Sequence, residues 1–247
     1  MEINLTLTLR RINILKILTI ETSGKMCGVS ILEDKNLIEK IEINNGLTHS
    51  ESLMPIINEL FKKTNIKLND IDLLVCDIGP GSFTGIRIGV ATAKAFCDSL
   101  KIKTIGISSL TALAYNSKNC GLICTMIDAK NNNCYYALYE LKNNKYETLI
   151  SPTAETIENV VTNLKKYNKK ITFIGDASEN YKDTLSKISK EITFLEDNSI
   201  HSYNLALAGL DTFLLGTYNK ELLPLYLKKP QAERQLEEKQ LLMKGKI

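Results

Sequence analysis

Residues 71–100 decide the fold of this chain and read IDLLVCDIGPGSFTGIRIGVATAKAFCDSL. The apolar run over 71–78 is typical of a strand that is covered on both faces of its sheet. Gly79-Pro80-Gly81 then predicts a tight turn, and the apolar spacing after it predicts a helix over 83–100. A further strand is predicted over 103–107, so strands and helices alternate as they do in α/β proteins.

The predicted helix at 83–100 carries apolar residues over most of its circumference. Gly85, Gly89 and Ala93 form a ridge of small residues along it. An interior glycine costs about 1 kcal/mol relative to alanine, and close packing of the backbone normally offsets that cost. The pattern favours a core helix, and the alternative is a helix whose outer side contacts another protein.

Predicted elements follow the same order in the two halves of the chain. A hairpin around Gly24-Lys25, a third strand over 37–43 and a helix over 49–64 precede the stretch described above. That helix begins with the spacing of a capping box, and Pro55 indicates either a kink or a start near Ser52. The second half carries a hairpin around Asn131–Asn133, strands over 146–150, 171–175 and 192–195, and helices over 153–166, 178–189 and 203–215.

The repeated order predicts an α/β protein with a duplicated actin-like, ribonuclease-H-like (ASKHA) fold, in which two lobes each combine a mixed sheet with helices. The alternative is a single doubly wound sheet, and the paired hairpins count against it. The first lobe is expected to comprise 15–110 with about 200–218, and the second 111–199. Residues 1–14 are expected to be an extension and 219–247 a tail.

In this fold, ligands lie in the cleft between the lobes, and two kinds of residue could face a phosphate there. A glycine turn before a helix suits an anion, because glycines permit close approach to free N–H groups. Kinases of this fold hold Mg²⁺-nucleotide with acidic residues at the end of each hairpin's first strand. The alternative is a tight turn with helix caps. No cofactor is expected, and ATP or ADP binding is the less favoured interpretation. The candidates are Glu21, Thr22, Gly79, Gly81, Ser82, Thr84 and Asp128.

The sequence offers few residues for catalysis. Its two histidines, His49 and His201, are too far apart to form a pair of metal ligands spaced by four residues. Ser108 and Ser109 lack the G-x-S-x-G pattern of a nucleophile. Six cysteines at spacings unlike those of a zinc site indicate reduced thiols, and no run approaches the ~18 apolar residues of a membrane helix. These features indicate a cytoplasmic protein without membrane contact.

Residues 74–96 resemble the signature of the TsaB (YeaZ) family, and the resemblance extends over about 16–235. Four further stretches of this chain resemble motifs of the family and occur in the same order. They are THSESLMP (48–55), GISSL (106–110), IDAK (127–130) and PLYLKKPQAE (224–233). The chain departs from the family pattern at Glu21, where Asp is usual, and at Lys130, where Arg is usual. It also lacks a second glycine after Gly175.

The resemblance implies a non-catalytic scaffold or activator subunit of the complex that forms N6-threonylcarbamoyladenosine at position 37 of tRNAs. The implied partners are a TsaD-type transferase in a heterodimer, a TsaE-type ATPase, and tRNA through the complex. A homodimer through the same surface is a further implied state. The resemblance implies that the helices over 49–64 and 83–100 form the interface with the transferase, so the partner interpretation of the glycine-bearing helix becomes the favoured one. The residues implied at this interface are Leu53, Met54, Ile57, Leu60, Gly85, Arg87, Gly89, Val90 and Lys94.

Two other functions stay open at this point. One is an ATP-dependent small-molecule kinase of the actin-like fold, and the other is a metal-dependent transferase, against which the histidine count speaks. The excess of basic over acidic residues lies in the last twenty residues of the sequence. Lys228 and Lys229 are therefore candidates for contact with RNA phosphates, which lysines bind without reading the base sequence.

Overall fold

Two five-stranded mixed sheets form the centre of the computed structural model, which describes residues 14–119, 121–188, 191–216 and 221–228. The strands of the first sheet are β1 (Lys16–Glu21), β2 (Cys27–Glu33), β3 (Asn36–Ile43), β4 (Leu73–Asp77) and β5 (Lys103–Ile107). Those of the second are β6 (Gly121–Asp128), β7 (Asn133–Lys142), β8 (Lys145–Thr156), β9 (Ile171–Ile174) and β10 (Ile192–Phe194).

The two sheets share one strand order, β3-β2-β1-β4-β5 in the first and β8-β7-β6-β9-β10 in the second. In each sheet the hairpin strands pair antiparallel, and the later strands add parallel to the first strand of the hairpin. The predicted duplicated α/β fold is therefore confirmed, and the alternative of a single doubly wound sheet is wrong. We call the first sheet with the helices on its outer face lobe 1, and the second sheet with those on its outer face lobe 2.

Helices cover the outer face of each sheet and also fill the space between the sheets. Helices α1 and α2 pack on the outer face of the first sheet, and α4, α5 and α6 pack on that of the second. Helices α3 and α7 lie between the sheets. The helices are α1 (His49–Thr64), α2 (Phe83–Leu100), α3 (Ser109–Ala114), α4 (Ile157–Leu164), α5 (Asp176–Asn180), α6 (Lys182–Leu185) and α7 (Ser202–Leu214).

The layer between the sheets packs against both lobes. Leu110 of α3 and Leu205 of α7 are fully buried there, in one cluster with Val75 of the first sheet and Ile123 of the second. Burial of one such side chain contributes about 1.5–3 kcal/mol. The shared layer therefore fixes the two lobes against each other and defines the cleft at one end of the sheets.

Local sequence signals set the ends of the two long helices of lobe 1. The backbone N–H of Thr48 donates to the Glu51 carboxylate at 3.0 Å, and α1 runs from His49 through Pro55 without interruption. The suggested start near Ser52 is therefore wrong. Both helices end in residues with left-handed backbone conformation, Asn65 after α1 and Lys101 after α2.

The structure departs from the predicted elements in two places in lobe 2 and in one place between the lobes. The helix predicted over 153–166 begins only at Ile157, because residues 153–156 continue β8 along its pairing with β7. The helix predicted over 178–189 is divided into α5 and α6 at Tyr181. Helix α3, between the lobes, was not predicted, since six residues are too few to show a helical period. Most of the expected extension (1–13) and the tail beyond 228 lie outside the described residues.

Candidate functional site

A cleft of about 500 Å³ lies between the lobes, at the ends of β1 and β6. Lobe 1 contributes Glu21 at the end of β1 and the turn with Gly81 and Ser82 before α2. Lobe 2 contributes Asp128 at the end of β6 and Asp176 at the start of α5. The structure thus brings four of the seven phosphate-facing candidates, one from each hairpin and two from the glycine turn, to one cleft.

The other three candidates do not line this cleft. Thr22 donates through Oγ1 to the backbone carbonyl of Gly85 at 2.7 Å. The N–H of Gly79 donates to Asp77 Oδ1 at 2.7 Å. Thr84 lies on the exposed first turn of α2. These contacts serve the fold of lobe 1 itself.

The floor of the cleft is a buried network that sequence reasoning missed. Asp77 at the end of β4 accepts hydrogen bonds from Ser109 Oγ at 2.6 Å and from Gly79 N at 2.7 Å. Ser23 Oγ lies 2.9 Å from both Asp77 Oδ2 and Glu21 Oε1, so one hydroxyl connects the two carboxyl groups. The only sequence signal was an acidic residue at the end of the apolar run over 71–78.

Burial changes the protonation of this carboxyl pair. Burial, with a smaller contribution from the charge of Asp77, raises the pKa of Glu21 to about 8. Burial also raises the pKa of Asp77 to about 6, although hydrogen bonds from Ser109, Gly79 and Ser23 act in the opposite direction. Glu21 therefore holds a proton at neutral pH, while Asp77 is ionised.

The glycines of the signature pack α2 against the end of the first hairpin. A Cβ atom on Gly85 would overlap the backbone oxygen of Thr22, and one on Gly81 would overlap that of Ser23. The Ser82 N–H donates to the same Ser23 oxygen at 2.7 Å. Close contact between two backbones of the same chain thus explains these glycines, as the core-helix interpretation predicts.

The residues implied at the partner interface divide into a buried and an exposed group. Met54 is 51% exposed, Arg87 is exposed, and Lys94 is partly exposed. The others are buried against the first sheet. This buried group consists of Leu53, Ile57, Leu60, Gly85, Gly89 and Val90.

The two cations of the exposed group contact the chain's own segment 221–228, which we call the strap. Arg87 Nε donates to the hydroxyl of Tyr226 at 2.9 Å, and its guanidinium carbon lies 3.9 Å from the ring centroid of Phe83. The rings of Phe83 and Tyr226 stack with their centroids 4.8 Å apart. Lys94 Nζ lies 3.4 Å from a carboxylate oxygen of Glu221.

The strap also reaches lobe 2 at the mouth of the cleft. Lys228 Nζ lies 5.8 Å from the ring centroid of Tyr135, which lines the cleft. The charge of Lys228 is one of the smaller influences that lower the pKa of Asp128, after the contacts of that carboxylate with Lys130. The candidate RNA contact at Lys228 thus lies beside the cleft, and Lys229 lies outside the described residues.

Among the residues that the structure describes, neither histidine belongs to a cluster of metal ligands. His49 Nε2 lies 3.0 Å from the Gly24 carbonyl oxygen. His201 lies between Glu42, 3.1 Å from Nδ1, and Asp197, 2.8 Å from Nε2. Across the described ranges, no three His, Cys, Asp or Glu side chains lie close enough together to hold a metal ion. None of the helices in those ranges is both long and apolar enough to cross a bilayer.

The repeated strand order, the shared helical layer and the cleft define the class of protein, a two-lobed actin-like α/β protein. Solved structures agree with this class. YeaZ from Pseudomonas aeruginosa superposes with a TM-score of 0.74 and 21% identity, over 86% of this chain and 100% of that one. A second solved structure, described as an uncharacterized protein with similarity to peptidase YEAZ from Pseudomonas aeruginosa, has a TM-score of 0.76 and 21% identity, over 87% of this chain and 100% of that one.

Sequence comparison identifies the family. The family model described as TsaD: tRNA N6-adenosine threonylcarbamoyltransferase matches residues 44–235. The TsaB protein of Bacillus subtilis is 31% identical over 159 residues, which are 64% of this chain and 69% of that protein. The Haemophilus influenzae TsaB is 33% identical over 128 residues, so about half (53%) of its length is matched. The chain belongs to the family that this model describes, and among its members to the TsaB (YeaZ) proteins. Both relatives are named as tRNA threonylcarbamoyladenosine biosynthesis proteins.

Proposed function

We propose that this chain is a non-catalytic scaffold and activator in the synthesis of N6-threonylcarbamoyladenosine at position 37 of tRNAs. It pairs with a TsaD-type transferase and a TsaE-type ATPase. The observation that carries the proposal is the buried network beneath the cleft, where Ser23 and Ser109 link the carboxyl groups of Glu21 and Asp77 by hydrogen bonds and Glu21 Oε2 is the one network atom without a partner among the described residues. A network whose polar groups bond mostly to one another is suited to stability, whereas catalysis needs groups directed at a substrate.

The surface that remains for the partner is the outer side of α1 and α2. Ala91 and Ala95 of α2 are exposed, Ile88 is partly exposed, and Met54 of α1 lies exposed on the neighbouring helix. Small and apolar side chains of this kind let a partner helix approach closely. Because Val90 and the glycines are buried, they support this surface without forming it.

A test of the interface is the substitution Ala91→Glu. Ala91 is exposed, so the isolated chain should fold normally, while an unpaired carboxylate enclosed in the interface should weaken pairing about 30-fold or more. The measurement is the dissociation constant with the TsaD-type subunit by titration calorimetry. Thr162→Glu adds the same side chain to the exposed face of α4 in lobe 2 and should leave pairing unchanged. Pairing of the Ala91→Glu chain at parental affinity would remove this surface from the proposal.

The scaffold role itself is tested by reconstitution. The chain alone should not modify an unmodified tRNA transcript supplied with threonylcarbamoyl adenylate. Addition of the chain to the TsaD-type and TsaE-type proteins should raise the rate of modification well above that of those two proteins alone. A purified sample of the lone chain that modified the transcript would contradict the proposal.

A further inference from the structure

Lysines gather at the end of lobe 2 that lies opposite the cleft. The cleft is at the Asp128 end of β6, and the other end of this strand begins at Gly121. Gly121 pairs with Leu141 of β7, and Leu122 pairs with Ile171 of β9. The start of β6, the start of β9 and the turn between β7 and β8 therefore lie along one edge of the sheet. We call the lysines at this edge the lysine rim: Lys118, Lys142, Lys145, Lys165, Lys166, Lys169 and Lys170.

The rim concentrates more positive charge than the whole chain carries. All seven lysines are exposed, and the same edge holds three glutamates, Glu140, Glu147 and Glu191, which leaves a net charge of +4. The entire sequence has a net charge of +3, so the remainder is slightly negative. Within the described part of the chain, one rim lysine forms an ion pair, Lys169 with Glu140 at 2.6 Å. Lys166 Nζ lies 5.4 Å from the ring centroid of Tyr167, and the side chains of all seven lysines are exposed.

The dimensions of the rim fit a chain of phosphates. It spans the ends of four adjacent strands, which at about 4.8 Å per strand gives roughly 14 Å. A strand of a nucleic-acid duplex carries a phosphate about every 3.4 Å along the axis. Several phosphates can therefore face the rim at once. Ammonium groups bind phosphates as point charges, which fixes position on the nucleic acid without reading its bases.

The composition of the rim also favours nucleic acid over protein as its partner. Lysine is depleted in the centres of protein–protein interfaces, where large apolar and aromatic side chains dominate. Protein–nucleic acid interfaces are polar and strongly positive. We propose that the lysine rim is the surface by which this chain contacts the phosphate backbone of the RNA substrate in the assembled complex. This inference rests on the proposed function in tRNA modification.

The test compares two variants of equal charge change in the assembled complex. The rim variant replaces four exposed lysines that form no salt bridge within the described residues and leaves Lys169 in place: Lys142→Gln, Lys145→Gln, Lys165→Gln and Lys166→Gln. The control variant replaces four exposed lysines of the first sheet and its loops: Lys35→Gln, Lys67→Gln, Lys101→Gln and Lys103→Gln. Binding of an unmodified tRNA transcript is measured between 50 and 300 mM KCl. Over this range a surface with several phosphate contacts loses about tenfold or more in binding affinity.

The rim variant should bind the transcript at least about tenfold more weakly at 100 mM KCl, and the slope of log K against log [salt] should fall by about 3. The control variant should match the parent. Equal losses in both variants, or an unchanged slope in the rim variant, would overturn the inference. Loss of pairing with the transferase instead of RNA binding would identify the rim as a protein contact. If the parent chain neither pairs nor supports modification, the proposed function fails; if it does both while the rim variant binds RNA normally, only the rim inference fails.

Discussion

Gly85→Ala is expected to destabilise the chain by about 3 kcal/mol, at the upper end of the cost of overpacking a well-packed core. The added Cβ would overlap the backbone oxygen of Thr22 and lie 2.8 Å from Cδ2 of His49. Thr22 follows β1 and cannot withdraw without disturbing the hairpin. Helix propensity alone would make the same substitution stabilising by about 1 kcal/mol. The sign of the change therefore distinguishes the close contact from the intrinsic preference.

Urea unfolding followed by circular dichroism measures this change. Gly46→Ala is the matched control, because no atom lies within 4 Å of the position that its Cβ would occupy. Gly46 has a φ of 78°, so alanine there should cost only about 1 kcal/mol of backbone strain. A Gly85→Ala chain as stable as the parent would show that α2 and the first hairpin are not in close contact.

The close contact at Gly85 also shows how far the sequence could predict the fold. The spacing of Gly85 and Gly89 predicts that something approaches α2 closely, and this is confirmed. Thr22, the residue that approaches, lies 63 positions earlier and carries no local signal. The order of the elements could be predicted because the spacing of apolar residues that marks a strand or a helix lies within that element. The partner of each close contact is set by tertiary packing instead.

The limits of prediction at the site have the same origin. An apolar face on α1 and α2 marks the side of the helix that becomes buried. The chain's own core buries that face. For this reason Leu53, Ile57 and Val90 lie inside the molecule, while the surface that we propose for a partner consists of residues such as Ala91 that carry no pattern. The link between Glu21 and Asp77 was likewise hidden, because β1 and β4 become neighbours only in the sheet.

Glu21→Gln is expected to remove a loss of stability that the parent chain undergoes between about pH 4.5 and 8. The folded chain holds a proton on Glu21 up to pH about 8, because burial raises the pKa of that carboxyl group, whereas an unfolded glutamate releases its proton near 4.5. Folding therefore binds a proton over this range, and the free energy of unfolding falls as the pH rises. Asp77, whose pKa is raised to about 6, contributes to the fall only at lower pH.

Glutamine is neutral at every pH and keeps an oxygen to accept the hydrogen bonds from Ser23 and Gly24. At pH 8.5 the variant should be more stable than the parent by roughly 2–4 kcal/mol, and near pH 5 the two should be similar. Urea unfolding at a series of pH values measures the difference. A parallel decline in both chains between pH 6 and 8 would show that Glu21 is ionised in the folded state.

Glu42→Gln makes the same chemical change in a carboxyl group whose pKa is lowered instead of raised. Burial alone would raise the pKa of Glu42, but hydrogen bonds from His201, Lys40 and Ser202 outweigh it and lower the pKa to about 2. Ionised Glu42 therefore stabilises the fold above pH 4.5, and this contribution is lost as the pH falls towards 2. The variant should be less stable than the parent at pH 7 and approach it in acid. If the change in the free energy of unfolding has opposite signs for the two variants, a general effect of glutamine is excluded, because the two pKa shifts have opposite directions. A gain of stability in both variants would contradict the ion contacts of Glu42.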